Sequence, residues 1–179
     1  MTEELPWFFH AVKHGINIEE LKEWVVNEQF TIADEYSKYT GRGNINQHFF
    51  DAKSSTKNFF HDMVKGICER NDIPFTNMKY SNSWTIDGYE NSYHDIHRHT
   101  EPDGSIRGGM SVLIYLSLPK DMSDMKGWFF YVDKDGEWCY VKPELDTAFI
   151  FSQQVPHGTN KQSEGLRKTL NIEFYKDKE

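Results

Sequence analysis

Apolar residues follow two periods along this chain, helical in the first part and alternating after about residue 75. Ile18, Leu21, Trp24 and Val25 fall on one face of a helix. Asn17 ahead of them, with Glu20 three places on, makes a capping-box-like start. Phe59, Phe60, Met63, Val64, Ile67 and Cys68 form the stripe of a second helix, with Ser54 and Ser55 as cap candidates and Asn71 and Pro74 at its end. Residues 7–12 are apolar and aromatic enough for a short strand closed by His14 and Gly15. Residues 41–53, with GRGNINQ, read as loop.

From Thr76 the period becomes two: Met78, Tyr80, Trp84 and Ile86 share one parity, and Lys79, Ser81, Ser83 and Thr85 the other. GGMSVLIYLSLP over 108–119 has the near-continuous apolar character of a strand in the middle of a sheet. WFFYV and EWCYV flank Asp133-Lys134-Asp135-Gly136, a hairpin with an Asp-Gly turn. TAFIFS and LRKTLNIEFY complete the strands. On the last of them Leu166, Leu170, Ile172 and Phe174 alternate with Arg167, Thr169, Asn171 and Glu173. Helices first and many short strands afterwards predict an α+β chain whose β part closes as a sandwich or barrel, with the helices over one outer sheet face. No repeat, low-complexity run or linker breaks residues 1–179. One domain is expected, with a helical part over 1–75 and a β core over 76–179.

Composition narrows the function classes. A length of 179 residues suits one core, and 15% aromatic residues supply apolar area where the hydrophobic fraction is only 37%. A formal charge of -8 argues against a general nucleic-acid surface, which needs clustered Lys and Arg. No apolar stretch approaches the roughly 18 residues of a membrane helix. The acidic start MTEELPWFFH does not read as a signal peptide. Cys68 and Cys139 form no C-x-x-C and read as reduced core residues, so a cytoplasmic protein is expected. Aromatic richness serves a core as well as an interface, which leaves the oligomeric state open.

Candidate chemistry concentrates in YHDIHRHT, residues 93–100, with three of the eight histidines. On an extended strand His97 and His99 project together with Tyr93 and Asp95 and can chelate one metal ion. A third ligand is needed for tight binding, and His157, beside Pro156 and Gly158 at a strand end, is the candidate. Asp95 and Glu101 share the parity of His97 and are alternatives to His99. His94 has the opposite parity and is expected in solvent or behind the ligands. His10, His14, His48 and His61 have no partner at ligand spacing and read as ordinary histidines. With the apolar parity of the last strand facing the helices, Arg167 points into the β part, where a cation needs an anionic partner. A guanidinium with the Thr169 hydroxyl two residues on suits a carboxylate. The Met122- and Met125-bearing loop over 120–127 is a candidate pocket edge.

The histidine pair, the apolar strand ending IYLSL, DTAFIFSQQVPHG and R-x-T on the final strand together resemble the Fe(II)/2-oxoglutarate-dependent oxygenase superfamily, over roughly the last hundred residues. The spacing Y-x-x-x-H-x-H before a strand containing Y-L is more similar to its uncharacterised members with an H-x-H motif. The resemblance implies a double-stranded β-helix, or jelly roll, with the N-terminal helices packed on the outer sheet. It implies Fe(II) and 2-oxoglutarate as cofactors, and hydroxylation of a small-molecule or peptidyl substrate with release of succinate and CO2. It places His97 and His157 as metal ligands, Arg167 with Thr169 as the clamp on the distal carboxylate of 2-oxoglutarate, and Tyr115 as an added hydroxyl. The departure lies at the second ligand, where His99 stands in place of the superfamily's carboxylate. A catalytic zinc site built on the same histidines, for hydrolysis or hydration, and a non-catalytic jelly-roll binding module are the alternative readings.

Overall fold

The computed structural model describes residues 2–31, 41–51, 53–101 and 103–177. In chain order the elements are β1 (Thr2–Glu3), β2 (Phe9–Lys13), α1 (Ile18–Glu28), β3 (Gln29–Thr31), β4 (Gly41–Arg42), β5 (Ile45–Phe50), α2 (Ser54–Arg70) and β6 (Met78–Gly88). They continue with β7 (Tyr93–His97), β8 (Met110–Ser117), a short 3-10 turn (Ser123–Met125), β9 (Phe129–Val132), β10 (Trp138–Val141), β11 (Thr147–Ser152), β12 (His157–Thr159) and β13 (Arg167–Asp177). The larger antiparallel sheet runs β2-β11-β8-β13-β6-β5-β3, with β1 added to β13, and the smaller runs β10-β9-β12-β7-β4.

Strict alternation along the central strands builds two cores, one on each face of the larger sheet. Val112, Ile114 and Leu116 of β8, with Leu170, Ile172 and Phe174 of β13, pack against Leu21 and Val25 of α1 and Phe60, Val64 and Ile67 of α2. The other face of β8 and β11 presents Leu113, Tyr115, Phe149 and Phe151 to Phe129 of the smaller sheet, forming the core between the sheets. This is a jelly roll with both helices on the outer face of its larger sheet. Among the described residues no helix is long and apolar enough to cross a membrane.

The helices start and stop for local reasons. Asn17 Oδ1 accepts from the Glu19 and Glu20 amides at 3.2 and 3.4 Å, while its Nδ2 donates to Glu20 Oε1 at 2.9 Å. The start of α2 differs from expectation, since Lys53 occupies the cap position without a side-chain cap bond and Ser54 and Ser55 lie inside the first turn. At its end Asn71 Nδ2 donates to Ile67 O at 2.9 Å.

Three further expectations are corrected. Residues 41–53 are not a plain loop: β5 pairs with β6 from Ile45–Gly88 to Phe49–Trp84, and Gly43, at φ 82°, turns the chain into it from β4. Tertiary pairing thereby makes a strand of INQHFF, which has no clear alternation. The part before residue 75 is accordingly not only helical, because β2, β3 and β5 belong to the larger sheet. Cys68 is buried in the helix-side core, with burial pushing its thiol up to about 11, whereas Cys139 is only half-buried on the edge strand β10.

A bulge also redirects β6. Glu173 and Phe174 of β13 face Asn82 and Tyr80, so Ser81 is the extra residue and the parity changes there. Met78 and Tyr80 thus face the helices, while Trp84 and Ile86 turn to the cavity between the sheets.

Candidate metal centre and anion pocket

The cavity between the sheets has a volume of about 260 Å³ and gathers residues from both. β7 and β12 pair so that His97 and His157 stand directly opposite each other. His99 follows β7, its backbone held by His99 N donating to Gln153 O at 3.3 Å and Arg107 N donating to His99 O at 2.9 Å. One nitrogen from each of His97, His99 and His157 lies within 4.8 Å of the others, and no other such group of three occurs among the described residues. Asp95 and Glu101 lie outside the cluster: Asp95 pairs with Arg42 at 2.7 Å and Glu101 with Arg107 at 3.3 Å.

Each imidazole is held from behind through Nδ1. His97 Nδ1 donates to Asp95 O at 2.8 Å, His157 Nδ1 donates to Val155 O at 2.8 Å, and His99 Nδ1 bonds to Glu173 Oε1. These acceptors fix the tautomer that leaves the Nε2 lone pair for a metal. Burial, reinforced by neighbouring His99, holds His97 down to about 4, and burial likewise holds His157 well below its ordinary value. Both rings are therefore neutral at pH 7. His99 and His157 bring their Nε2 atoms to 3.3 Å, close enough to share one cation, a proton or a metal ion. Phe129 and Phe151 pack on the His157 ring at centroid distances of 5.7 and 4.7 Å and restrict its rotation.

The second half of the candidate site is a polar pocket around a buried guanidinium. Arg167 is 2% exposed, and its Nη1 and Nη2, like Tyr115 Oη, are buried without a hydrogen-bond partner among the described residues. Thr169 is buried beside them in the same cavity. A Cβ at Gly88, opposite Arg167 in the β6–β13 register, would come within 3.2 Å of Nη2, so the bare backbone makes room for the guanidinium. Burial lowers the Arg167 pKa and raises that of Tyr115. An unpaired buried guanidinium is costly, and an anion bound against it removes that cost. Three clustered imidazoles and a guanidinium with bare terminal nitrogens beside a phenol suit a metal ion and a small dianionic acid.

Two groups escaped the sequence reading. His94 is not in solvent but lines the cavity, and burial, with Arg167 the next contributor, holds it down to about 3. The cause is a second bulge: two steps of β12, His157 to Thr159, span three of β7, His97 to His94, so parity counting fails. Glu173 is 1% exposed and joins His99 to Arg107, whose Nη1 it accepts at 2.9 Å. Its place on the polar parity of β13, with Arg167 and Thr169, was the available signal. Met122 and Met125 do not edge the cavity; Met122 is buried elsewhere and its carbonyl accepts from Trp128 Nε1 at 2.8 Å.

No protein-family model and no curated protein matches the chain by sequence. Solved structures do match its fold. A viral collagen prolyl hydroxylase from Paramecium bursaria Chlorella virus-1, in complex with 2-oxoglutarate, aligns with a TM-score of 0.66 at 11% identity over 95% of this chain and 97% of that one. HygX from Streptomyces hygroscopicus, with nickel, 2-oxoglutarate and hygromycin B bound, aligns at 0.67 with 15% identity over 94% and 82% of the two chains. A prolyl hydroxylase from Trichoplax adhaerens, in complex with a hypoxia inducible factor peptide fragment, aligns at 0.67 with 13% identity over 94% and 83%. The jelly roll is the one these oxygenases use.

Proposed function

We propose that this protein is a non-haem Fe(II)- and 2-oxoglutarate-dependent dioxygenase that hydroxylates a small-molecule or peptidyl substrate. The observation that carries the reading is Arg167, buried with no partner for either terminal nitrogen among the described residues, in the same cavity as the three clustered imidazoles. His97, His99 and His157 hold the metal through Nε2. Arg167, Thr169 and Tyr115 hold the distal carboxylate of 2-oxoglutarate, which satisfies the polar atoms the protein leaves bare. When bound, Fe(II) and 2-oxoglutarate supply, with dioxygen, the oxidising power that inserts a hydroxyl group into a substrate C–H bond and releases succinate and CO2. The protein's share is positioning and the exclusion of water by the aromatic wall of Phe129 and Phe151. The fold neighbours support both ligand classes, since HygX binds nickel and 2-oxoglutarate together. Two of those complexes also hold a further ligand, hygromycin B in one and a peptide fragment in the other, which supports a small-molecule or peptidyl substrate here.

Succinate is the direct readout. Aerobic incubation with Fe(II) and 2-oxoglutarate is expected to release succinate above an enzyme-free control, and the zinc-loaded protein is expected to release none. Hydrolysis or hydration by the zinc form with no succinate from the iron form would replace the proposal with a zinc enzyme. Binding of 2-oxoglutarate with no succinate under any metal would make the protein a binding module.

A further inference from the structure

We propose that Glu173 supplies, through His99, the negative charge that a carboxylate ligand would otherwise bring to the metal; this rests on reading the three histidines as a metal site. Three neutral imidazoles leave a divalent ion with its full double charge inside a buried cavity. His97 and His157 donate from Nδ1 to backbone carbonyls, which carry no net charge. His99 alone bonds to a carboxylate, and it stands at the second position of the H-x-H pair. The charge has moved outward by one side chain: Glu173 Oε1 meets Nδ1, and the Nε2 of the same ring faces His157.

The surroundings keep Glu173 where that role needs it. Its side chain is 2% exposed, so little water screens its field at the metal. Oε2 accepts from Arg107 at 2.9 Å, and Arg107 is itself shared with Glu101 at 3.3 Å, so the chain of two carboxylates and one guanidinium keeps a net negative charge. Ser111 Oγ lies 3.5 Å from His99 Nδ1, so a neutral partner was within reach had orientation been the only requirement. Glu173 is thus a positioning residue with an electrostatic part, making His99 a stronger donor than its two companions.

Nickel(II) binding to the metal-free protein, measured by calorimetry in two backgrounds, tests this. With His99 present, Glu173→Gln is expected to weaken binding by about 10- to 100-fold. In the His99→Asp background a carboxylate sits directly at the ligand position, and the same Glu173→Gln change is expected to leave binding unchanged or to strengthen it, because two adjacent carboxylates repel. A loss of equal size in both backgrounds would mean that Glu173 only supports the fold. A change under threefold with His99 present would overturn the proposal outright. No nickel bound by the unaltered protein would instead remove the metal site itself and the function proposed from it.

Discussion

Arg167 decides more of this protein's behaviour than its ligand cluster does, because its cost falls on the ligand-free state. A guanidinium with two unpartnered nitrogens at 2% exposure destabilises the fold until an anion arrives. Arg167→Ala is expected to weaken 2-oxoglutarate binding by about 30-fold or more, from roughly 2 kcal/mol or more of lost charged contact. Nickel affinity should stay within threefold, and calorimetry with each ligand separately checks the contrast. Arg167→Met fills a similar volume without the charge and is expected to raise ligand-free stability by about 1–4 kcal/mol in urea denaturation while abolishing 2-oxoglutarate binding. Stability lost along with both affinities would make Arg167 a structural residue. His97, His99, His157, Arg167 and Thr169 were legible in the sequence because imidazole clusters and an R-x-T on the polar parity of an otherwise apolar strand carry their chemistry in their spacing. His94 was not, since a bulge in β7 turns it inward and bulges leave no mark in a period-two pattern.

At the scale of elements, the site depends on how closely β7 and β12 approach. Gly158, in the middle of β12, faces β7 so closely that an added Cβ would meet His94 O at 2.7 Å, with Phe130 Cζ at 2.5 Å. The backbone contact can be relieved only by moving one strand away from the other. Gly158→Ala is therefore expected to shift His157 relative to His97 and lower nickel affinity by at least about tenfold, as ligand geometry tolerates little displacement. Unchanged affinity by calorimetry would show that the pair can spread without harm to the site. Both helices, β8, β11 and β13 followed from apolar spacing and the β9–β10 hairpin from its Asp-Gly turn, whereas β12, only three residues long beside Pro156, read as a strand end. β5 did not, because Gln47 and His48 interrupt any alternation, and its pairing with β6 across α2 is a long-range fact that local pattern does not contain.

For the molecule as a whole, the double core explains why one jelly roll can hold a strained polar cavity. The helix-side core of Phe60, Ile67, Ile114 and Phe174 is fully apolar and stabilises the larger sheet from outside. The inner face is thereby free to carry Arg167, Thr169 and Glu173 at alternate positions on β13. The candidate metal and anion subsites then meet between the sheets, one built mainly on β7 and β12 and the other on β8 and β13. Both subsites are expected to fill together, and one spectrum tests it. Fe(II) and 2-oxoglutarate added to the protein without oxygen are expected to produce a visible charge-transfer band that neither ligand gives alone and that Arg167→Ala shifts to higher 2-oxoglutarate concentration. A protein that binds Fe(II) yet shows no band at saturating 2-oxoglutarate would mean that the cosubstrate does not reach the metal in this cavity.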